Sequence, residues 1–143
     1  AADFYVNHIR HVFTVSTLRY LIKGGRLSKW KGTAGELLDM KPVLIVDKDG
    51  SLQVLKTIRG RKKSLKALIE YVQENIADPS RQIMGIGHGE APDSLQYTKD
   101  LLLQVISPKE LVESTIGCAI GAHTGRGIIG IVFFDAMDDE FDV

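Results

Sequence analysis

Two basic side chains framed by glycine, far apart along the chain, are the residues best suited to do chemistry: Gly24-Gly25-Arg26 and His123-Thr124-Gly125-Arg126-Gly127. Glycine leaves backbone N–H groups open to close approach, so a guanidinium or imidazole held beside it is placed to meet an oxyanion. Arg26 offers a fork of donors that matches a carboxylate or phosphate. His123 hydrogen-bonds such a group in either protonation state, and the Thr124 hydroxyl adds a further donor. If the fold joins the two segments, they form one anion site. Each also has a structural reading: His123 can satisfy local carbonyls, and Arg26 can complement a helix C-terminus, although Lys23 suits that role better.

Other chemical templates are not met. There is no phosphate-binding Walker loop, no Gly-x-Ser-x-Gly and no pair of Cys or His at metal-ligand spacing. His8 and His11 are three apart, but His11 opens a predicted strand and no third ligand is near, so surface or boundary roles are expected rather than metal. Gly85-Ile86-Gly87-His88-Gly89 looks like a dinucleotide turn yet lacks the last glycine and the later acid. Cys118, the single cysteine, sits in an apolar, glycine-rich run and is expected to be a buried, inert thiol.

The elements that must position these groups follow from pattern. Residues 11–15 read as a strand feeding a helix over 17–23, with Ser16 as N-cap and Val15 and Tyr20 as a hydrophobic staple. Trp30, Ala34, Leu37 and Leu38 share one helical face, and Pro42 ends that helix. Val43-Leu44-Ile45-Val46 reads as a strand buried on both faces, and Asp49-Gly50 turns it into a partner over 52–58. Ser64 caps a helix whose stripe is Leu65, Leu68, Ile69, Val72 and Ile76. Strands are expected at 83–86, 111–115 and 128–134 and a helix at 93–106, while the small residues 116–122 lie close against other backbone and lead His123 into a loop. The mixture of hairpins and crossovers predicts an α/β fold of the α+β type, with a mixed, largely antiparallel sheet packed with helices in a single domain over 1–143.

With 143 residues and 44% hydrophobic content the chain can bury one core. No apolar run reaches membrane-spanning length, and the start, Ala1-Ala2-Asp3-Phe4, has neither Met nor the order of a secretion signal, so a cytoplasmic protein without a transmembrane segment is expected. The zero net charge hides a polarity: residues 1–66 hold 14 Lys and Arg against 5 Asp and Glu, and the remainder holds 4 against 13. The basic cluster Lys56, Arg59, Arg61, Lys62, Lys63 and Lys66 is either a solvated helix start or a docking face. Nucleic acid is not expected, because no aromatic residues interleave with the cations.

Four segments in series, residues 12–27, 40–44, 59–63 and 121–125, resemble the second domain of the DegV family of bacterial fatty-acid-binding proteins. The resemblance covers nearly the whole chain. It implies a lipid carrier rather than an enzyme, with no cofactor and no metal, that encloses a long-chain fatty acid and presents its carboxyl group to a fatty acid kinase catalytic subunit. It also implies that Arg26 and His123, with Thr124 and Gly125, lie at the ligand head group. The basic segment Arg59, Arg61, Lys62 and Lys63 would then face the partner, with either Arg59 or Arg61 serving the partner-dependent step. The family's N-terminal domain, whose Thr-Ser-Gln-Pro-Ser stretch holds the carboxylate, is absent from this sequence, which on this reading is a fragment or processed product. The family's proline after His-Thr-Gly is Arg126 here. Two further readings come from other classes: a small phosphate-handling enzyme with His123 as general acid and Arg26 as clamp, and an interaction module whose oppositely charged halves pair.

Overall fold

A computed structural model describes residues 2–27 and 40–139. The elements, in chain order, are α1 (Ala2–His8), β1 (Ile9–Thr14), α2 (Arg19–Lys23), β2 (Met40–Val46), β3 (Leu52–Arg59), α3 (Arg61–Asn75), β4 (Ile83–His88), α4 (Pro92–Val105), β5 (Glu110–Thr115), α5 (Cys118–Thr124) and β6 (Ile129–Phe134). The six strands form one sheet in the order β3-β2-β1-β6-β4-β5. Every neighbouring pair is antiparallel except β4 and β5, which run parallel with α4 as their crossover. The fold is therefore the α/β arrangement with a mixed, largely antiparallel sheet that the pattern predicts.

Because side chains alternate along a strand, each central strand feeds two different cores. Val12, Val43, Met84, Ile86, Ile129, Ile131 and Phe133 face α3 and α4, meeting Leu65, Leu68, Val72 and Leu102 in the larger cluster. Phe13 and Leu44 point the opposite way and join Val15, Leu18, Leu21, Leu27 and Ile128 in the smaller one. The run Val43-Leu44 is apolar on consecutive positions for this reason: one residue serves each core.

Local details depart from expectation where tertiary contacts outweigh sequence signals. Pro42 does not close a helix but lies within β2, opposite Thr57; the stripe at Trp30 to Leu38 falls outside the described residues. Helix α3 begins at Arg61, three residues before Ser64, whose hydroxyl instead donates to the Arg61 carbonyl at 2.8 Å. Ser16 caps nothing: α2 starts at Arg19 with no side-chain cap, and the nearest polar help is the Thr17 hydroxyl accepting from the Arg19 N–H at 3.2 Å. Tyr20 forms no staple with Val15; it is half exposed and its ring covers Gly125. Residues 118–124 are a helix rather than a loop, Gly117 and Gly121 have no neighbour within 4 Å of a Cβ position, and Cys118 is exposed rather than buried.

Candidate functional site: a cationic mouth on an apolar groove

The sheet face opposite α3 and α4 is only partly covered. Helices α2 and α5 pack against each other over it, leaving a groove of about 740 Å³. Its floor can be read from the strand register. One row across the sheet is Phe13, Gly130, Gly87 and Ser114; the next is His11, Val132, Gly85 and Val112. Three of these eight positions are glycine, so the floor is recessed where β6 and β4 pass beneath it. The walls are aliphatic, with Leu21 and Val46 on one side and Ile116, Ala119 and Ile120 on the other. An apolar recess of this kind gains free energy by removing a hydrocarbon from water, roughly 25 cal/mol per Å² of apolar surface covered.

The two glycine-framed motifs meet at this groove, and both Arg26 and His123 line it. Their convergence has a simple cause. Gly24 ends α2 and His123 lies in the last turn of α5, and the imidazole rests directly on Gly24: a Cβ placed there would lie 3.2 Å from Cε1 of the ring and overlap Nδ1. The Gly24 carbonyl in turn accepts a hydrogen bond of 2.6 Å from Nη1 of Arg26. That bond uses one of the five guanidinium N–H donors, and the side chain is otherwise exposed. Among the described residues no carboxylate pairs with His123, so nothing there would prime it as a general acid.

The neighbouring residues have more structural duties than their sequence suggests. Thr124 is 3% exposed and its hydroxyl donates to the Ile120 carbonyl at 3.0 Å, so its proton closes the last turn of α5. The Gly125 N–H caps the same helix on the Gly121 carbonyl, and its bare α-carbon lets the Tyr20 ring pack where a Cβ would come within 2.6 Å. Arg126, which replaces the expected proline, pairs with Glu90 at 2.5 Å on the surface. Below it the Gly127 N–H donates to the Gly89 carbonyl at 2.6 Å, tying the His123 loop to the end of β4. The glycine-rich segment 85–89 thus supplies groove floor and loop anchor, not a nucleotide turn.

The basic segment divides in two. Arg59, Lys62 and Lys63 are exposed, and the Lys62 ammonium lies 5.6 Å from the Tyr97 ring centre. Arg61 points inward, where Nη2 donates to the Gly127 carbonyl and burial disfavours its charge, lowering its pKa. A guanidinium at the start of α3 therefore holds the loop that follows His123. Arg61 thus differs from its exposed neighbours Arg59, Lys62 and Lys63 in being tied to the loop after α5.

Sequence patterns do not single out two contributors. His11, expected at a boundary, stands on the groove floor; strand alternation with Phe13 was the available signal. Gln82, fully buried, ties the chain together behind the sheet: Nε2 donates to the Ala77 carbonyl at 2.6 Å and Oε1 accepts from the Phe134 N–H at 2.8 Å.

Comparison with known proteins agrees with this architecture. A family profile described as an uncharacterised protein of the DegV family matches residues 1–136. A DegV domain-containing protein of Clostridium acetobutylicum is 35% identical over 127 residues, covering 89% of this chain and 45% of the relative. Among solved structures, a fatty acid binding DegV family protein from Streptococcus agalactiae superposes with a TM-score of 0.80 at 33% identity, covering 91% of this chain and 46% of that one. The fatty acid kinase B3 protein of Streptococcus pneumoniae, solved loaded with linoleic acid, shares the fold at a TM-score of 0.80 and 18% identity, over 94% and 47% of the two chains. The chain spans a little under half the length of the relatives it matches. With the profile match running through both glycine-framed motifs and nearly all of the sheet beneath them, the chain belongs to the DegV family.

Proposed function

We propose that this chain is the tail-covering domain of a long-chain fatty acid carrier. The acyl chain lies along the recessed sheet face. Arg26 and His123 meet its carboxylate at the mouth, and the end of α5 at Thr124 and Gly125 holds the imidazole in place. A preceding DegV domain supplies the other wall and further head-group donors, and the exposed cations Arg59, Lys62 and Lys63 engage a fatty acid kinase catalytic subunit in the cytoplasm. Phosphoryl transfer belongs to that partner, and this domain binds and presents. The single observation that carries the reading is that a guanidinium and an imidazole, remote in sequence, share the mouth of one apolar groove. The named relatives that bind fatty acids support it.

The test uses the full-length protein that contains this chain. Native mass spectrometry after expression in a bacterial host should show a retained fatty acid, and calorimetry should show Arg26→Ala and His123→Ala each weakening acid binding or acyl transfer by about ten- to a hundredfold, as for loss of a hydrogen bond to a charged group. Unchanged binding and transfer in both variants would overturn the reading.

A further inference from the structure

His11 is an anomaly in the groove. It occupies β1 with its side chain on the floor, in a row otherwise made of Val132, Gly85 and Val112. Among the described residues no group hydrogen-bonds its ring, in contrast to His8, which pairs with Asp135 at 2.8 Å, and His88, whose Nδ1 accepts from the Ala91 N–H at 3.0 Å. Burial lowers the His11 pKa below the ordinary histidine value, which favours the neutral ring with one donor and one acceptor nitrogen.

A plain hydrocarbon laid over this floor removes the groove-facing part of the ring from water and returns no hydrogen bond, which is unfavourable for a polar group. A chain bearing oxygen at that point exchanges the penalty for a hydrogen bond. A neutral imidazole also suits an uncharged oxygen better than it suits the carboxylate, which has the Arg26 guanidinium and His123 at the mouth. We infer that His11 is the specificity-determining residue of the groove floor, selecting acyl chains that carry a hydroxyl or keto oxygen on the tail. This rests on the fatty-acid reading above and specifies the class of acid within it.

The experiment compares stearate with a positional series of hydroxystearates, by calorimetry on the full-length protein and its His11→Leu and His11→Gln variants, each checked for folding by circular dichroism. For the isomer whose hydroxyl reaches the floor, the ratio of hydroxystearate to stearate affinity should fall on the order of tenfold in His11→Leu, with stearate itself binding that variant more tightly. His11→Gln, which retains a donor and an acceptor, should keep most of the preference. If stearate binds and no isomer's ratio changes between wild type and His11→Leu, the inference is overturned while the carrier reading stands. If no acid binds the wild type, both fall.

Discussion

Gly24 and Gly25 stand side by side at the mouth of the groove, and methylating each should do opposite things. Gly24 has φ −79° and ψ 0°, a backbone open to any residue. Alanine there therefore imposes no dihedral strain, and by restricting the unfolded chain it contributes about 0.4–1 kcal/mol of stability. Its Cβ, however, would overlap Nδ1 of His123 and approach the Tyr20 carbonyl at 3.1 Å. The carbonyl yields by a few tenths of an ångström, while the half-exposed imidazole must swing away from the mouth. Gly25 has φ +72° and nothing within 4 Å of a Cβ. Alanine there strains the backbone by about 1–2 kcal/mol and touches no ligand-facing group. We expect Gly24→Ala to melt within a few degrees of wild type yet to bind fatty acid about ten- to a hundredfold more weakly, the loss expected for one hydrogen bond to a charged group. Gly25→Ala should melt roughly 3–8 °C lower and bind normally once folded. Thermal melts and calorimetry on the two variants of the full-length protein read both axes. Equal ligand affinity in Gly24→Ala and wild type would refute the claim that the imidazole at this position meets the head group.

The two arginines of the basic segment should separate in the same way. Arg61→Ala strands the Gly127 carbonyl and should destabilise the protein by about 1–3 kcal/mol, whereas Arg59→Ala, exposed at the end of β3, should stay within about 0.5 kcal/mol; urea unfolding measures both, and equal effects would contradict the inward placement of Arg61. The desolvated ring of His11 makes a pH prediction. Its folded pKa lies below the ordinary value of 6.5, so below that pH the unfolded chain binds the extra proton first and stability falls as the solution is acidified. Relative to His11→Leu, the wild type should therefore lose melting temperature between pH 7 and pH 5, and a constant difference across that range would show that the ring is not desolvated.

The legible parts of this fold are those whose signals are local. Asp49-Gly50 fixes the β2–β3 hairpin through a turn whose geometry needs only its own residues, with the Gly50 N–H donating to the Asp47 carbonyl. The stripe Leu65 to Val72 in α3 is periodic because one helix face meets one sheet face. Helix α5 escapes the same kind of reading because it is only seven residues long, with Gly117 before it and Gly121 inside it interrupting the favourable Ala119 and Ala122. What makes it a helix is packing on α2, a contact set by residues about a hundred positions earlier. Ser64 shows the opposite error: a good capping residue was free to sit inside α3 because Gly60 and Arg61, with the Gly127 carbonyl waiting, had already begun the helix.

The candidate site obeys the same division. Arg26 and His123 were recognisable as a pair by residue type and glycine context, but what joins them is that Gly24 lacks a side chain where the imidazole must lie. Gly24 thus acts at the site through space rather than through backbone freedom, whereas Gly25 acts through its dihedral angles. The groove floor goes further, since Gly85, Gly87 and Gly130 mean little in sequence order and become a recess only when β4 and β6 pair Gly87 with Gly130. A strand glycine ordinarily weakens a sheet. Here two opposed glycines lie on the face away from α3 and α4, and the packed face keeps Met84, Ile86, Ile129 and Ile131 at full size. The sheet thus carries its larger core on one face and, beside a smaller core, an open apolar hollow on the other. His11, the polar side chain in the row beside that hollow, faces the groove by the same alternation that sends Val12 into the larger core.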